Sequence, residues 1–373
     1  MLRRTRKKSS SSSSNLKWSS KTELVGLELE LIPEKDSYLY PQYTIGLHAW
    51  FLNQVRQVDS EFSTYLHDAE SEKPFTISAL NGEMISSGRQ IQVFASNKYR
   101  WYLTALSHPV QKWMAEWVKK MPSTIDLRTV KLKINACNIV HAPTTYAQLL
   151  NSENSKNVIL QFISPTSFRR KGHHFPLPLP TNIFHSYLRR WNNFSGMTFE
   201  QDDFLAWVDE SVLVNRCQIS TDKVLAGKKG AVTGFTGAIE LSLSLSKESA
   251  KNPEYQQLFY ALGRLAPYCG TGHKTTFGLG QTRLGWSSLI VQDIPEVENL
   301  LAKRIEDLTE IFKAQRKRTG GERASEIASK WATILARREM GESLQVIAQD
   351  LEMPYETVKT YVKLARRELK KQE

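Results

Sequence analysis

Two histidines and a lysine stand near one another in the first part of the 373-residue chain: His48, His67 and Lys73. Such a set can cut RNA without a metal. A base takes the proton of a 2′-hydroxyl, that oxygen attacks the adjacent phosphate, and an acid protonates the departing 5′-oxygen. Histidine serves either role because its ordinary pKa is about 6.5. A lysine can neutralise charge that develops on the phosphorane. His48 falls on an expected helix and His67 at a helix end soon after, so both can face one cleft. On the pattern alone each is equally open to a structural or surface role.

A second set is the glycine-rich segment 270–280, in which Gly270, Gly272, Gly278 and Gly280 surround His273, Lys274 and Phe277. Glycines let backbone approach a ligand closely, and a nest of N–H groups suits phosphate. The spacing is neither that of a P-loop nor that of a dinucleotide fingerprint, since a strand follows it where a helix is required. Phosphate binding through these glycines, His273 and Lys274 is one reading; a tight helix-to-strand connection is the other. Basic loops offer a third set: Arg169, Arg170 and Lys171 after Phe168 with His173 and His174, and separately Lys223 with Lys228 and Lys229. Such loops can hold RNA phosphates and stacked bases, or simply be solvated.

The fourth set lies near the C-terminus. Ile347, Ala348 and Leu351 form the apolar side of one helix, Met353-Pro354 marks a turn, and Val358, Val362 and Leu364 or Ala365 face inward from a second helix. Lys359, Thr360, Lys363, Arg366 and Arg367 are left outside. This is a helix-turn-helix outline with a basic outer helix, fit for nucleic acid or for docking a protein.

The elements that must position these residues are legible in part. Glu23–Pro33 alternates with a period of two and reads as a strand. Residues 43–58 have helical spacing, and a short helix ends at Tyr65-Leu66-His67. Strand signals follow in Pro74–Leu80 and Arg89–Ala95, then a helical stretch over roughly 103–120 and a strand in Thr129–Val140. That is the ferredoxin-like order of strand, helix, two strands, helix, strand. A looser copy runs from a strand at Asn157–Pro165 through a helix near Phe184–Trp191, strands in Ala231–Ser246, a helix near Tyr255–Leu265 and a last strand after the glycine-rich segment. Beyond about residue 288 the chain turns to helix formers. The expectation is an α+β protein: a disordered basic, Ser-rich tail (1–20), two tandem ferredoxin-like (RRM-like) domains (21–150 and 151–288) and an all-α domain (289–373).

Net charge is +12, with six basic and no acidic residues in 1–20 and 16 basic against 12 acidic in 301–373. Residues 21–300 are therefore nearly balanced, and any surface there for a polyanion must come from local clusters. Three widely spaced cysteines, Cys137, Cys217 and Cys269, make neither a zinc spacing nor a disulfide framework, which indicates a reducing, cytoplasmic setting. No apolar run reaches the ~18–20 residues of a membrane span.

Three segments together resemble a known family. They are Tyr65-Leu66-His67-Asp68 with Lys73-Pro74-Phe75-Thr76-Ile77-Ser78, then Phe162-Ile163-Ser164-Pro165-Thr166-Ser167-Phe168, then the segment 270–280. In this order they resemble the CRISPR repeat-processing endoribonucleases, the sixth family of CRISPR-associated proteins, over about residues 21–288. The resemblance implies two ferredoxin-like domains around a cleft, and cleavage of repeat RNA without metal or other cofactor, leaving 2′,3′-cyclic phosphate and 5′-hydroxyl ends. It implies His67 as general base or acid and Lys73 as phosphate stabiliser. A tyrosine frequent on the family's first helix is missing, since Phe51 and Leu52 stand there, and His48 is the complementary group. The implied partners are repeat RNA and the other subunits of an effector complex. The helix-turn-helix outline lies outside the family pattern and adds a DNA or protein contact through Lys359, Lys363, Arg366 and Arg367.

Overall fold

The computed structural model describes residues 16–68, 72–170, 173–228, 230–244, 252–287, 295–314 and 322–370. Strand β1 (Leu24–Pro33) buries Leu27, Leu29 and Leu31 completely and leaves Glu28 and Glu30 half-buried, as its alternation requires. It runs through the middle of an antiparallel sheet ordered β3 (Phe75–Ile77), β6 (Tyr99–Ala105), β1, β8 (Val130–Thr144), β7 (Thr124–Leu127). Without the β7 edge, this is the strand order of a ferredoxin-like unit. Helices α1 (Tyr43–Val58) and α3 (His108–Trp117) lay Leu47, Phe51, Val55, Val110 and Met114 into the core beneath. Helix α2 (Ser60–Asp68) is pinned to α1 by Ser63, whose hydroxyl donates to the Leu52 carbonyl at 3.0 Å.

Two expectations need correction here. The strand in Arg89–Ala95 belongs to a small side sheet of β2 (Ser37–Leu39), β5 (Gln90–Val93) and β4 (Ile85–Ser87), not to the main sheet. The third ferredoxin strand is β6, whose end at 103–105 had been assigned to a helix. Its residues are buried almost without interruption, and an apolar run that lacks alternation does not by itself distinguish strand from helix. Trp18 falls within the tail expected over 1–20. It packs against the first core, and its indole N–H donates to Gln111 Oε1 at 2.8 Å.

After the short α4 (Tyr146–Asn151), the same order repeats. The second sheet runs β12 (Val212–Leu225), β13 (Ala231–Leu243), β9 (Val158–Thr166), β14 (Thr282–Leu284), with α5 (Pro180–Phe194) and α7 (Pro253–Cys269) packed on it. Phe162, Phe184, Trp191, Phe235 and Leu262 fill this core. The hairpin of β10 (Phe168–Arg170) and β11 (His173–Phe175) projects beside it. Helix α6 (Gln201–Ser211) and β12 had no sequence signal; β12 is an edge strand exposed along most of its length, so burial imposes no period on it. Lys223 therefore sits in a strand, not in the loop expected for it.

The C-terminal region is helical: α8 (Glu296–Ala314), α9 (Glu322–Glu339), α10 (Leu344–Asp350) and α11 (Tyr355–Leu369). Leu301, Ile305, Leu308, Leu335, Ile347 and Val358 form its own core. Buried Arg337 ties it together, reaching Glu342 at 2.6 Å and Asp350 at 2.5 Å. The region is seated on both sheet-rich domains. Arg128 reaches Asp350 at 2.6 Å and Val297 N–H donates to Ser86 Oγ at 3.0 Å on the first domain. On the second, Gly230 N–H donates to Thr333 Oγ1 at 2.9 Å, and Asn299 to the Lys223 carbonyl at 3.0 Å. No helix among the described residues is long and apolar enough to cross a membrane.

Candidate active site

His67 lies in the last turn of α2 with its side chain 39% exposed. Lys73, six residues on, turns back and donates from Nζ to the His67 carbonyl at 2.8 Å. A cation at a helix C-terminus also complements the helix dipole. Glu72, beside Lys73, is taken by the second domain. Arg190 on α5, almost wholly buried, meets its carboxylate at 3.2 Å, and Arg189 pairs with it as well. Arg190 also donates to Ser186 Oγ at 2.7 Å and to the Gly272 carbonyl at 2.8 Å. One guanidinium thus fixes the Lys73 segment against α5 and the glycine-rich loop.

His48 is different. It is buried on α1, with its ring stacked on Phe277 at 4.3 Å and near Phe75 at 6.1 Å. Burial, with the charges of Lys228, His67, Lys73 and Lys274 around it, pushes its pKa down to about 3. His48 is therefore held in its neutral form at physiological pH, which can accept a proton but is not the imidazolium acid. Its enclosure sets it apart from the open His67. Its site does show that all four charged groups converge on one region.

The glycine-rich loop builds the other wall. Gly270, Gly272, Gly278 and Gly280 all have positive φ. A Cβ on Gly272 would lie 2.3 Å from the Ser167 carbonyl, and one on Gly280 2.0 Å from that of Thr271. The loop's amides are turned inward: Thr271 to the Gly280 carbonyl at 2.7 Å, Gly272 to Ser186 Oγ at 2.9 Å, His273 to the Ser167 carbonyl at 3.1 Å, Gly280 to that of Pro165 at 2.9 Å. Gly278 donates to the Ile77 carbonyl at 3.0 Å while Ile77 donates to that of Thr275, also 3.0 Å, lacing the two domains together. The N–H groups of these glycines are thus bonded within the protein. Of these N–H groups, that of Gly278 bonds across the two domains, while those of Gly270, Gly272 and Gly280 bond within the second. What the loop presents outward is Lys274, at φ +62° and with Nζ 5.7 Å from the Phe277 ring centre; His273 is half-buried, with Nδ1 2.8 Å from the Ser167 carbonyl and its ring stacked on His174 at 5.3 Å.

Lys228 completes the cluster from the turn between β12 and β13, where Gly227 lets Phe277 pack close. Its Nζ lies 2.5 Å from Glu352 Oε1, and the same oxygen is 3.3 Å from His67 Nε2. Arg169 and Arg170 are exposed on β10, with Arg170 5.5 Å from the Phe175 ring centre. Lys171 and Lys229 lie outside the described residues. Lys359, Lys363, Arg366 and Arg367 line the exposed side of α11 as expected, with Lys359 paired to Glu356 at 3.4 Å. Reading the sequence missed Glu72, Arg190 and Glu352. Each joins residues more than a hundred positions apart, and no local pattern marks such a contact.

Tandem ferredoxin-like units that meet where His67, Lys73, Lys228 and Lys274 gather around His48 define a class of two-domain β-α proteins with a cationic, histidine-bearing seam. A family model described as CRISPR-associated endoribonuclease Cas6 matches residues 160–282, and one described as the CRISPR Cas6 N-terminal domain matches 25–117. Together they span more than half of the chain, which belongs to the Cas6 family. A Cas6 of Thermus thermophilus aligns with 71% of this chain and 99% of its own at TM-score 0.53 and 24% identity. The same protein in a product complex gives TM-score 0.58 at 22% identity, over 70% and 100%. A second Cas6 product complex gives 0.54 at 25% identity, over 70% and 99%. No curated protein matches the chain.

Proposed function

We propose that the protein binds CRISPR repeat RNA in the interdomain cleft and cuts it by attack of a 2′-hydroxyl on the neighbouring phosphate. The observation that carries this reading is the half-exposed imidazole of His67 at a seam where lysines from both domains converge. Neutral His67 takes the 2′-hydroxyl proton, or protonated His67 gives one to the departing 5′-oxygen. The oxygen left over exchanges its proton with solvent in the open cleft. The 2′-oxygen–phosphorus bond forms as the phosphorus–5′-oxygen bond breaks, which leaves a 2′,3′-cyclic phosphate and a 5′-hydroxyl. Lys73 and Lys228 stabilise the charge gathering on the phosphorane, and positioned proton transfer contributes about 10²–10⁴-fold. Arg169, Arg170, Lys274 and His273 follow the RNA backbone away from the cut. After cleavage the protein keeps the repeat end and passes the guide RNA into an effector complex, with α11 as a docking or nucleic-acid face.

The test is cleavage of the repeat RNA encoded in the same genome, in EDTA, by the full-length protein and by His67→Ala. A single cut with a cyclic-phosphate end, lost by about 10²–10⁴-fold in the variant while RNA is still bound, supports the reading. Binding without any cutting by the wild type would leave a repeat-RNA-binding subunit instead.

A further inference from the structure

Glu352 occupies the turn between α10 and α11. Its N–H donates to the Gln349 carbonyl at 3.2 Å, and the N–H of Met353 to that of Ala348 at 2.9 Å. This pair of bonds is a Schellman cap, whose key position favours glycine because the backbone there is left-handed. Glu352 holds that position at φ +53°, where a side chain costs on the order of 1 kcal/mol. The turn is anchored two residues earlier, where Asp350 receives both Arg128 and Arg337. From it, one carboxylate oxygen meets an imidazole of the first domain and an ammonium of the second.

A carboxylate oxygen and a non-bridging phosphate oxygen offer these donors the same charge and the same kind of acceptor. Burial opposes ionisation of Glu352, but Lys228 and then His67 outweigh it and hold the carboxyl below its usual range. The side chain is 57% exposed, so it can swing into solvent without disturbing any core.

We propose that His67 and Lys228 form a phosphate-oxygen site spanning the two sheet-rich domains, that Glu352 of the helical region fills it as an internal anion in the free protein, and that an RNA phosphate displaces it. The proposal rests on the repeat-RNA reading above and adds a threshold to it. RNA with few other contacts gains too little to expel the carboxylate, so His67 is reserved for RNA held along the whole cleft.

The experiment uses full-length Glu352→Gln and Glu352→Gly, the latter matching the turn's own preference, with repeat RNA carrying a 2′-deoxy nucleotide at the cut so that binding is read apart from cleavage. Both variants are expected to bind about tenfold tighter than wild type, and Glu352→Gln to give no gain in a Lys228→Ala background. Equal or weaker binding in both variants overturns the proposal. So does slower single-turnover cutting at unchanged affinity, which would make Glu352 a positioning residue for His67. If the wild type cuts uncleaved repeat RNA at one site while neither variant binds tighter, only the internal anion is lost. If the wild type neither binds nor cuts, the repeat-RNA reading falls and this proposal with it.

Discussion

His48 and His67 are both histidines beside lysines, and their surroundings send them to different work. The ring of His48 is enclosed by Phe75 and Phe277, and the ring of His67 opens to solvent. In the unfolded chain His48 takes up a proton near pH 6.5, and in the folded protein only near pH 3. Its contribution to stability is therefore complete above about pH 6.5 and is lost progressively as pH falls toward about 3. At pH 5 the loss amounts to ~2 kcal/mol. Urea unfolding of wild type and His48→Gln at pH 7 and pH 5 is expected to show a smaller acid-induced drop in the variant. His141, His174 and His273, each pushed down to about 4 chiefly by burial, act in the same direction and remain in both proteins.

At the scale of the element, the glycine-rich loop is a strap between sheets, fixed by its amides and by the absence of side chains at four positions. Gly280→Ala places a Cβ against the Thr271 carbonyl at a left-handed φ. It is expected to cost ~1–3 kcal/mol of unfolding free energy, read from denaturant midpoints. Arg190 is the second fastening. Its replacement by Ala removes the donor to the Gly272 carbonyl and leaves Glu72 with Arg189 in place of two arginines, a loss of ~1–3 kcal/mol. With folding maintained at low temperature, Arg190→Ala is expected to slow cleavage because Lys73 follows Glu72 directly. Single-turnover rates beside those of Lys73→Ala measure that coupling.

For the whole molecule, the helical region is a bridge. It touches the first domain through Arg128 and Ser86 and the second through Lys223 and Gly230, and its inner turn carries a carboxylate into the seam. The buried Arg337 holds that turn through Glu342 and Asp350. Arg337→Ala is expected to destabilise the region by ~3–5 kcal/mol. Limited proteolysis should then cut within 295–370 before the sheet-rich domains, and a wild-type-like pattern would show the bridge to be held by its apolar core alone.

The sequence by itself determined what depends on local periodicity and side-chain type. The alternation of β1, the apolar stripe of α1 and the helix-turn-helix spacing all follow from burial acting on neighbours in the chain. The His67–Lys73 spacing was legible through its likeness to a family motif. The continuous burial of β6 and the open edge of β12 erased the periods that would have marked them. The tertiary structure alone decided which histidine is enclosed and which is open, that the loop's glycines pack closely against neighbouring backbone, and that Glu352 meets His67 across 285 positions of chain. Those outcomes depend on desolvation and on contacts between distant segments, which no residue carries in its immediate neighbours.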